Sequence, residues 1–175
     1  MRRKEGAMST TVGKVGTTPK EAGLKEGDLA PDFDLPGAGG EKLSLAAFKG
    51  KKVALYFYPK DDTSGCTKEA IDFNSLRDKF AKAKTVVVGM SPDPVKSHDK
   101  FRAKYELSLP LASDEKKDAL GAYGVWVEKS MYGRKYMGVE RTTVLIGPDG
   151  RIARIWRKVK VPGHAEEVLA AAKAL

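Results

Sequence analysis

The chain has 175 residues, a formal charge of +9, 41% apolar residues, two histidines and one cysteine. That length suits one folded domain with a proper core, and no apolar run is long enough to span a bilayer. One cysteine excludes an internal disulfide, and no cluster of His, Cys and carboxylates has metal-ligand spacing, so neither a metal nor another cofactor is expected.

Residues 1–23 are rich in Gly, Thr, Ser and Lys without apolar periodicity and read as a disordered basic tail. They lack the apolar core of a secretory signal and the amphipathic face of a transit peptide, and Met8 is a second candidate start. Residues 24–175 read as one domain. Phe33-Asp34-Leu35 and Leu43-Ser44-Leu45 alternate around Pro36-Gly37-Ala38-Gly39-Gly40, which is a hairpin signal. That glycine cluster is a poor phosphate loop, because no buried strand precedes it. Val53–Tyr58 is a near-continuous apolar run of strand length, the pattern of a strand buried on both faces.

Ala70, Phe73, Leu76, Phe80 and Ala83 then recur at helical spacing, predicting a helix from 66 to about 81. Thr85–Met90 is a second buried strand, and the three elements form a βαβ unit with a right-handed crossover. A helix over 94–105 follows, with Val95, Phe101 and Tyr105 on one side. A short strand is expected at 109–111 and a short helix at 114–123. Strands at 142–146 and 151–156 flank Gly147-Pro148-Asp149-Gly150, an antiparallel hairpin turn, and a helix over 165–173 closes the chain.

Cys66 falls in the first turn of the helix after the buried strand. Free cysteine usually behaves as a small buried hydrophobe. Here, however, unpaired backbone N–H groups and the positive end of the helix dipole favour an anion, and the thiolate is the nucleophilic form of cysteine. The surrounding residues are Pro59-Lys60-Asp61-Asp62-Thr63-Ser64-Gly65-Cys66-Thr67-Lys68-Glu69.

Pro59-x-x-x-Thr63-x-x-Cys66 resembles the active-site signature of peroxiredoxins, and Gly65-Cys66-Thr67-x-Glu69-Ala70 resembles the PrxQ, or bacterioferritin comigratory protein, subgroup. The resemblance spans about residues 24–175. It includes Gly27-Asp28-Leu29-Ala30-Pro31-Asp32-Phe33, Ser91-Pro92-Asp93 and Arg141-Thr142-Thr143. It implies an α/β, thioredoxin-like fold with an N-terminal β-hairpin extension and a peroxiredoxin-type insertion. It also implies a cofactor-free, cytoplasmic, monomeric peroxidase whose cysteine is oxidised by hydroperoxide to a sulfenic acid. Reduction would come from an external thiol, with thioredoxin the first choice and glutaredoxin or glutathione a close second.

In that scheme Cys66 attacks, Thr63 offers its hydroxyl to the peroxide and the sulfur, and Arg141 supplies a fixed positive charge. Pro59 shields the thiolate, and the backbone N–H groups of Gly65 and Cys66 bind substrate. Each residue has a plainer reading: Thr63 as a helix cap, Pro59 as a strand terminator, Arg141 as a surface cation. Glu69 either holds the hydrogen-bond network or is an acidic residue favoured in the first helical turn. If the 142–146 strand runs antiparallel to 53–58, Arg141 reaches the sulfur.

Many members of the subgroup carry a resolving cysteine five residues after the first. Here that position is Ile71, as in one-cysteine variants. Ile71 either packs under a loop or lies at the surface where a reducing partner docks. Other classes fit less well. A disulfide reductase needs C-x-x-C, and a cysteine phosphatase needs arginine where Asp72 stands. A cysteine hydrolase needs a histidine base; His98 reads as a boundary packing residue and His164 as the start of the last helix. The charge is concentrated near the N-terminus, leaving +5 over the last 150 residues. The short basic runs Lys49, Lys51, Lys52 and Arg154, Arg157, Lys158, Lys160 accompany no nucleic-acid motif, so neither nucleic acid nor a membrane is expected as a partner. A non-enzymatic thioredoxin-fold binding or redox-sensing module is the alternative class.

Overall fold

Residues Val53–Tyr58 are all buried and carry large side chains to both faces, so the strand they form needs a layer on each side. The computed structural model describes residues 23–175, and the expectations placed on residues 1–22 lie outside that range. The elements run β1 (Asp34–Pro36), β2 (Lys42–Ser44), β3 (Lys52–Phe57), α1 (Ser64–Ser75), α2 (Arg77–Lys82), β4 (Thr85–Ser91), α3 (Val95–Tyr105) and β5 (Leu111–Ser113). They continue with α4 (Asp118–Ala122), β6 (Trp126–Met131), β7 (Arg134–Val139), β8 (Thr142–Ile146), β9 (Ile152–Trp156) and α5 (His164–Ala174).

The central sheet has the order β5-β4-β3-β8-β9, with β3, β4 and β5 parallel and β8 antiparallel to both β3 and β9. Ala54, Tyr56 and Tyr58 face a layer that includes Ala70, Phe73, Phe80, Phe101 and Val168 from the α1, α2, α3 and α5 side. Val53, Leu55 and Phe57 face Ala30, Phe33, Leu43, Leu120, Tyr123 and Val139 on the other. This is the thioredoxin-like arrangement, with the expected N-terminal hairpin β1–β2 paired in register Leu35 to Leu43.

Three expectations shift, and one hairpin is new. The single helix over 66–81 is two helices, broken at Leu76, whose backbone sits at φ −100°, ψ 4°. Ser75 Oγ donates to Asp72 O, and Asn74 Oδ1 accepts from Ser108 N, so short polar side chains compete with the helical ladder there. The strand placed at 109–111 lies at 111–113. Pro110 has no N–H for a ladder, and only its carbonyl is used, by Gly89 N at 3.0 Å. The helix over 114–123 shortens to 118–122, because Asp114 Oδ2 accepts Leu120 N and Lys117 is left-handed at φ +65°. The hairpin β6–β7 was not assigned from sequence. Its turn residues Tyr132 and Gly133 both have positive φ, a turn that Asn-Gly signals more strongly than Tyr-Gly does.

Gly89 in β4 lies between Tyr56 and Leu111 on the neighbouring strands. A Cβ there would stand 2.8 Å from Tyr56 Cζ and 2.9 Å from Leu111 Cδ2. Tyr56 is itself stacked on Phe73, with ring centroids 4.7 Å apart. Gly89→Ala is therefore expected to destabilise the fold by about 1–3 kcal/mol, as overpacking does. Urea unfolding checks this, and an unchanged midpoint would mean that Tyr56 and Leu111 can move aside.

Candidate active site

Thr63 occupies the position before α1 in extended conformation, and Thr67 N donates to Thr63 O at 2.8 Å to start the helix. Ser64, Gly65 and Cys66 are thus the first helical residues, whose N–H groups have no partner within the helix. Cys66 sits among them with only 1% of its surface exposed.

The second half of the site arrives from β8. Phe57 pairs with Thr142 and Tyr56 with Thr143, so Arg141 lies at the same sheet edge as the start of α1. Its Nη2 donates to Cys66 Sγ at 3.3 Å, and its Nη1 donates to Glu69 Oε1 at 2.6 Å. A Cβ on Gly65 would stand 3.3 Å from Nη2, so the glycine leaves room for the guanidinium beside the sulfur. Glu69 lies on the buried side of α1, three residues after Cys66, so one helical turn carries both partners of the arginine.

Burial pushes the Glu69 carboxyl up to about 7, against the opposing pull of Arg141. Its Oε2 is buried and has no hydrogen-bond partner among the described residues. Arg141 is held above its ordinary value: burial acts the other way but is outweighed by Glu69 and Cys66. Below them His164, the first residue of α5, lies 2.8 Å from Thr143 Oγ1 through Nε2, and burial lowers its basicity. Burial likewise raises the Tyr56 hydroxyl well above its usual range.

Arg141, Glu69, Gly65 and Cys66 therefore meet as the motif suggested. Pro59 is half-buried at the end of β3. The Thr63 side chain makes no cap hydrogen bond to the helix, and its hydroxyl donates to Lys60 O at 2.9 Å. Ile71 is 41% exposed and so does not pack under a loop. His98 is wholly buried rather than at a boundary: its Nδ1 lies 2.8 Å from Asp61 Oδ2 and its Nε2 lies 3.0 Å from Ala112 O.

Asp61, Asp93 and His98 bring three potential ligand atoms within 4.8 Å of one another, a grouping that sequence spacing did not reveal. Asp61 Oδ1 accepts from the Tyr58 hydroxyl, Asp61 Oδ2 from Ser97 Oγ, and Asp93 Oδ2 from both Asp61 N and Ser91 Oγ. The oxygens are thus engaged in an internal hydrogen-bond network. The signal for it was a histidine on the buried stripe of a helix, which requires partners. Among the described residues no helix is long and apolar enough to cross a membrane.

Residues 27–155 match the AhpC/TSA family, and the chain belongs to it. Within that family its relatives are peroxiredoxins of the Bcp and PrxQ kind. Peroxiredoxin Bcp of Xanthomonas campestris is 49% identical over 147 residues, covering 83% of this chain and 92% of that protein. Peroxiredoxin Bcp of Bacillus subtilis is 45% identical over 146 residues, 83% and 93% of the two chains. A cysteine-to-serine mutant of PrxQ from Xylella fastidiosa superposes with a TM-score of 0.82 at 42% identity, over 86% of this chain and 96% of that one. The chain is thus a thiol-dependent peroxidase of the Bcp/PrxQ peroxiredoxins, with one cysteine.

The Glu69 carboxyl has a pH consequence. Its folded value lies above the ordinary 4.5, so between about 4.5 and 7 the folded chain binds more proton than the unfolded one. Its contribution to stability is full below that window and is lost as pH rises through about 7. Glu69→Gln is expected to flatten this fall. Urea midpoints of the two chains at pH 5 and pH 7.5 check it, because all other titrating groups are common to both.

Proposed function

We propose that the chain reduces hydrogen peroxide and organic hydroperoxides through a sulfenic acid on Cys66 that an external thiol resolves. The observation carrying this reading is the Arg141 Nη2 contact with Cys66 Sγ at the start of α1. A cation and free N–H groups beside a buried sulfur suit a thiolate and, next to it, the oxygen that leaves when an O–O bond breaks. In the first step the Cys66 thiolate attacks one peroxide oxygen, the O–O bond breaks, and its electrons leave on the other oxygen, which takes a proton to become water or alcohol.

Arg141 and the N–H groups of Gly65 and Cys66 stabilise that leaving oxygen. The Thr63 hydroxyl, whose proton is directed to Lys60 O, keeps lone pairs with which to accept the peroxide O–H. Pro59 closes the site against water while offering no donor of its own. Glu69 supports by fixing the guanidinium through the 2.6 Å bond.

With no second cysteine in the chain, a sulfenic acid at Cys66 has no internal thiol to form a disulfide with and is reduced by a thiol from outside. A thiol condenses with it to a mixed disulfide, releasing water, and a second thiol then restores Cys66 and departs as a disulfide. Thioredoxin is the first-choice reductant on the resemblance, and glutaredoxin with glutathione is a close second because the internal disulfide is missing. One solved relative, the bacterioferritin comigratory protein of Xanthomonas campestris, is described for alkyl peroxide reduction activity, which supports including organic hydroperoxides here. The family resemblance supports a monomer acting in the cytoplasm.

Cys66→Ser is expected to abolish peroxide consumption with the fold intact, since a serine hydroxyl is hardly ionised at neutral pH. Near-normal turnover would refute the assignment and favour the binding-module class. One equivalent of peroxide should yield a dimedone adduct at Cys66, and added thiol should divert it to a mixed disulfide, both visible in the intact mass.

Thr63→Val and Arg141→Ala test the activation step. Peroxide attack should slow by about a hundredfold for Arg141→Ala, the scale of losing one preorganised donor. Alkylation by iodoacetamide should fall far less, because it needs no aligned O–O bond. Equal losses with both electrophiles would limit these residues to tuning the thiol.

A further inference from the structure

The turn joining β3 to α1, residues 59–63, carries Pro59 and Thr63 and directs the chain into the first turn of α1. Its two aspartates stand outside the proposed chemistry, yet both are held by the same helix. Asp61 Oδ2 accepts Ser97 Oγ at 2.7 Å and faces His98 Nδ1 at 2.8 Å, while Oδ1 accepts the Tyr58 hydroxyl at 2.6 Å. Asp62 Oδ2 accepts Lys104 Nζ at 2.8 Å, and Oδ1 accepts the Tyr105 hydroxyl. The two grips lie seven residues apart on α3, about 10 Å along its axis. A third bond joins Asp61 N to Asp93 Oδ2 just before that helix begins.

His98 is an unusual anchor. Its Nε2 faces the carbonyl oxygen of Ala112, which can only accept, so Nε2 carries a hydrogen. Nδ1 faces an Asp61 carboxyl oxygen at 2.8 Å. The ring therefore ties the active-site turn to β5 as well as to α3.

Asp62 is held differently. It has φ +61°, a left-handed backbone that costs a side-chain-bearing residue roughly 1 kcal/mol or more and persists where surrounding contacts hold it. The bonds from Lys104 and Tyr105 supply such contacts, and they hold its carboxyl below the usual range. Asp62 immediately precedes Thr63, so its backbone sets the path into α1.

We infer that α3 braces the active-site turn, with His98 and Tyr105 acting as positioning residues for Thr63 and Cys66 through Asp61 and Asp62. This rests on the peroxidase reading above. Peroxide attack needs a sulfur, a donor and an O–O axis in register, and a misplacement of about 1 Å can cost on the order of a hundredfold. Alkylation needs only an accessible thiolate.

Tyr105→Phe, His98→Leu and His98→Asn are compared with the wild-type chain for the rate of Cys66 oxidation by hydrogen peroxide, the rate of alkylation by iodoacetamide, and the thermal midpoint. Tyr105→Phe is expected to slow oxidation about fivefold and His98→Leu about thirtyfold or more, with alkylation changed less than about twofold. The amide of His98→Asn can still donate to Asp61 and should recover most of the lost rate. Oxidation and alkylation falling in parallel, or wild-type oxidation rates in both Tyr105→Phe and a folded His98→Leu, would overturn the brace. If His98→Leu does not fold, Tyr105→Phe decides alone, since it removes only a hydroxyl from a half-buried side chain. A wild-type chain inert to peroxide would overturn the peroxidase reading and this inference with it. An active wild type with unaffected variants would overturn only the inference.

Discussion

A guanidinium ion wedged between a sulfur and a buried carboxylate is the constraint on which the rest of this site depends. Desolvating Arg141 is costly unless its donors are filled, and Glu69 and Cys66 fill two of them from one turn of α1. That places demands on remote parts of the chain. β8 must lie antiparallel to β3 with Phe57 opposite Thr142, a Cβ at Gly65 would crowd the guanidinium at 3.3 Å, and Glu69 must accept a location where its carboxyl is pushed up to about 7. Among the described residues the buried Oε2 of Glu69 has no hydrogen-bond partner, while Oε1 is spent on the guanidinium.

The second constraint is access. Cys66 is almost wholly buried, a setting that suits a reagent as small as a hydroperoxide far better than a protein thiol. The peroxide step and the resolving step proposed above therefore ask opposite things of the same turn: rigid alignment for the first and exposure of the sulfur for the second. The brace answers with two kinds of grip: His98 fixes Asp61 inside the core, while the exposed bonds of Lys104 and Tyr105 hold Asp62 at the rim. Ile71, exposed where related chains often place their second cysteine, leaves an apolar contact on the outer side of α1 and no second thiol.

Much of the architecture was legible because it is written in local periodicity. The apolar run over 53–58, the alternation about residues 33–45, the Gly147–Gly150 turn and the stripe through Ala70, Phe73 and Phe80 each reflect burial imposed on a regular backbone. What escaped was set by competition or by weak burial. Leu76 interrupts a stripe that continues unbroken in sequence, because the Ser75 hydroxyl takes the Asp72 carbonyl of the last turn and Asn74 accepts from Ser108 N outside the helix. The β6–β7 hairpin is mostly exposed, so its strands carry little apolar alternation to read.

The sequence by itself determined the family, the lone cysteine and its place at a helix start, since these depend on residue types at fixed short spacings: Pro59, Thr63 and Cys66 within eight positions, and Glu69 one turn on. Only the tertiary structure decided which distant groups share that neighbourhood. It brought Arg141 within 3.3 Å of Cys66 across 75 positions and set His98 against Asp61 across 37. It also left Ile71 in solvent and turned the Thr63 hydroxyl toward Lys60. Local pattern reports which face of an element is buried; what it is buried against depends on strand order and register, which no short segment encodes.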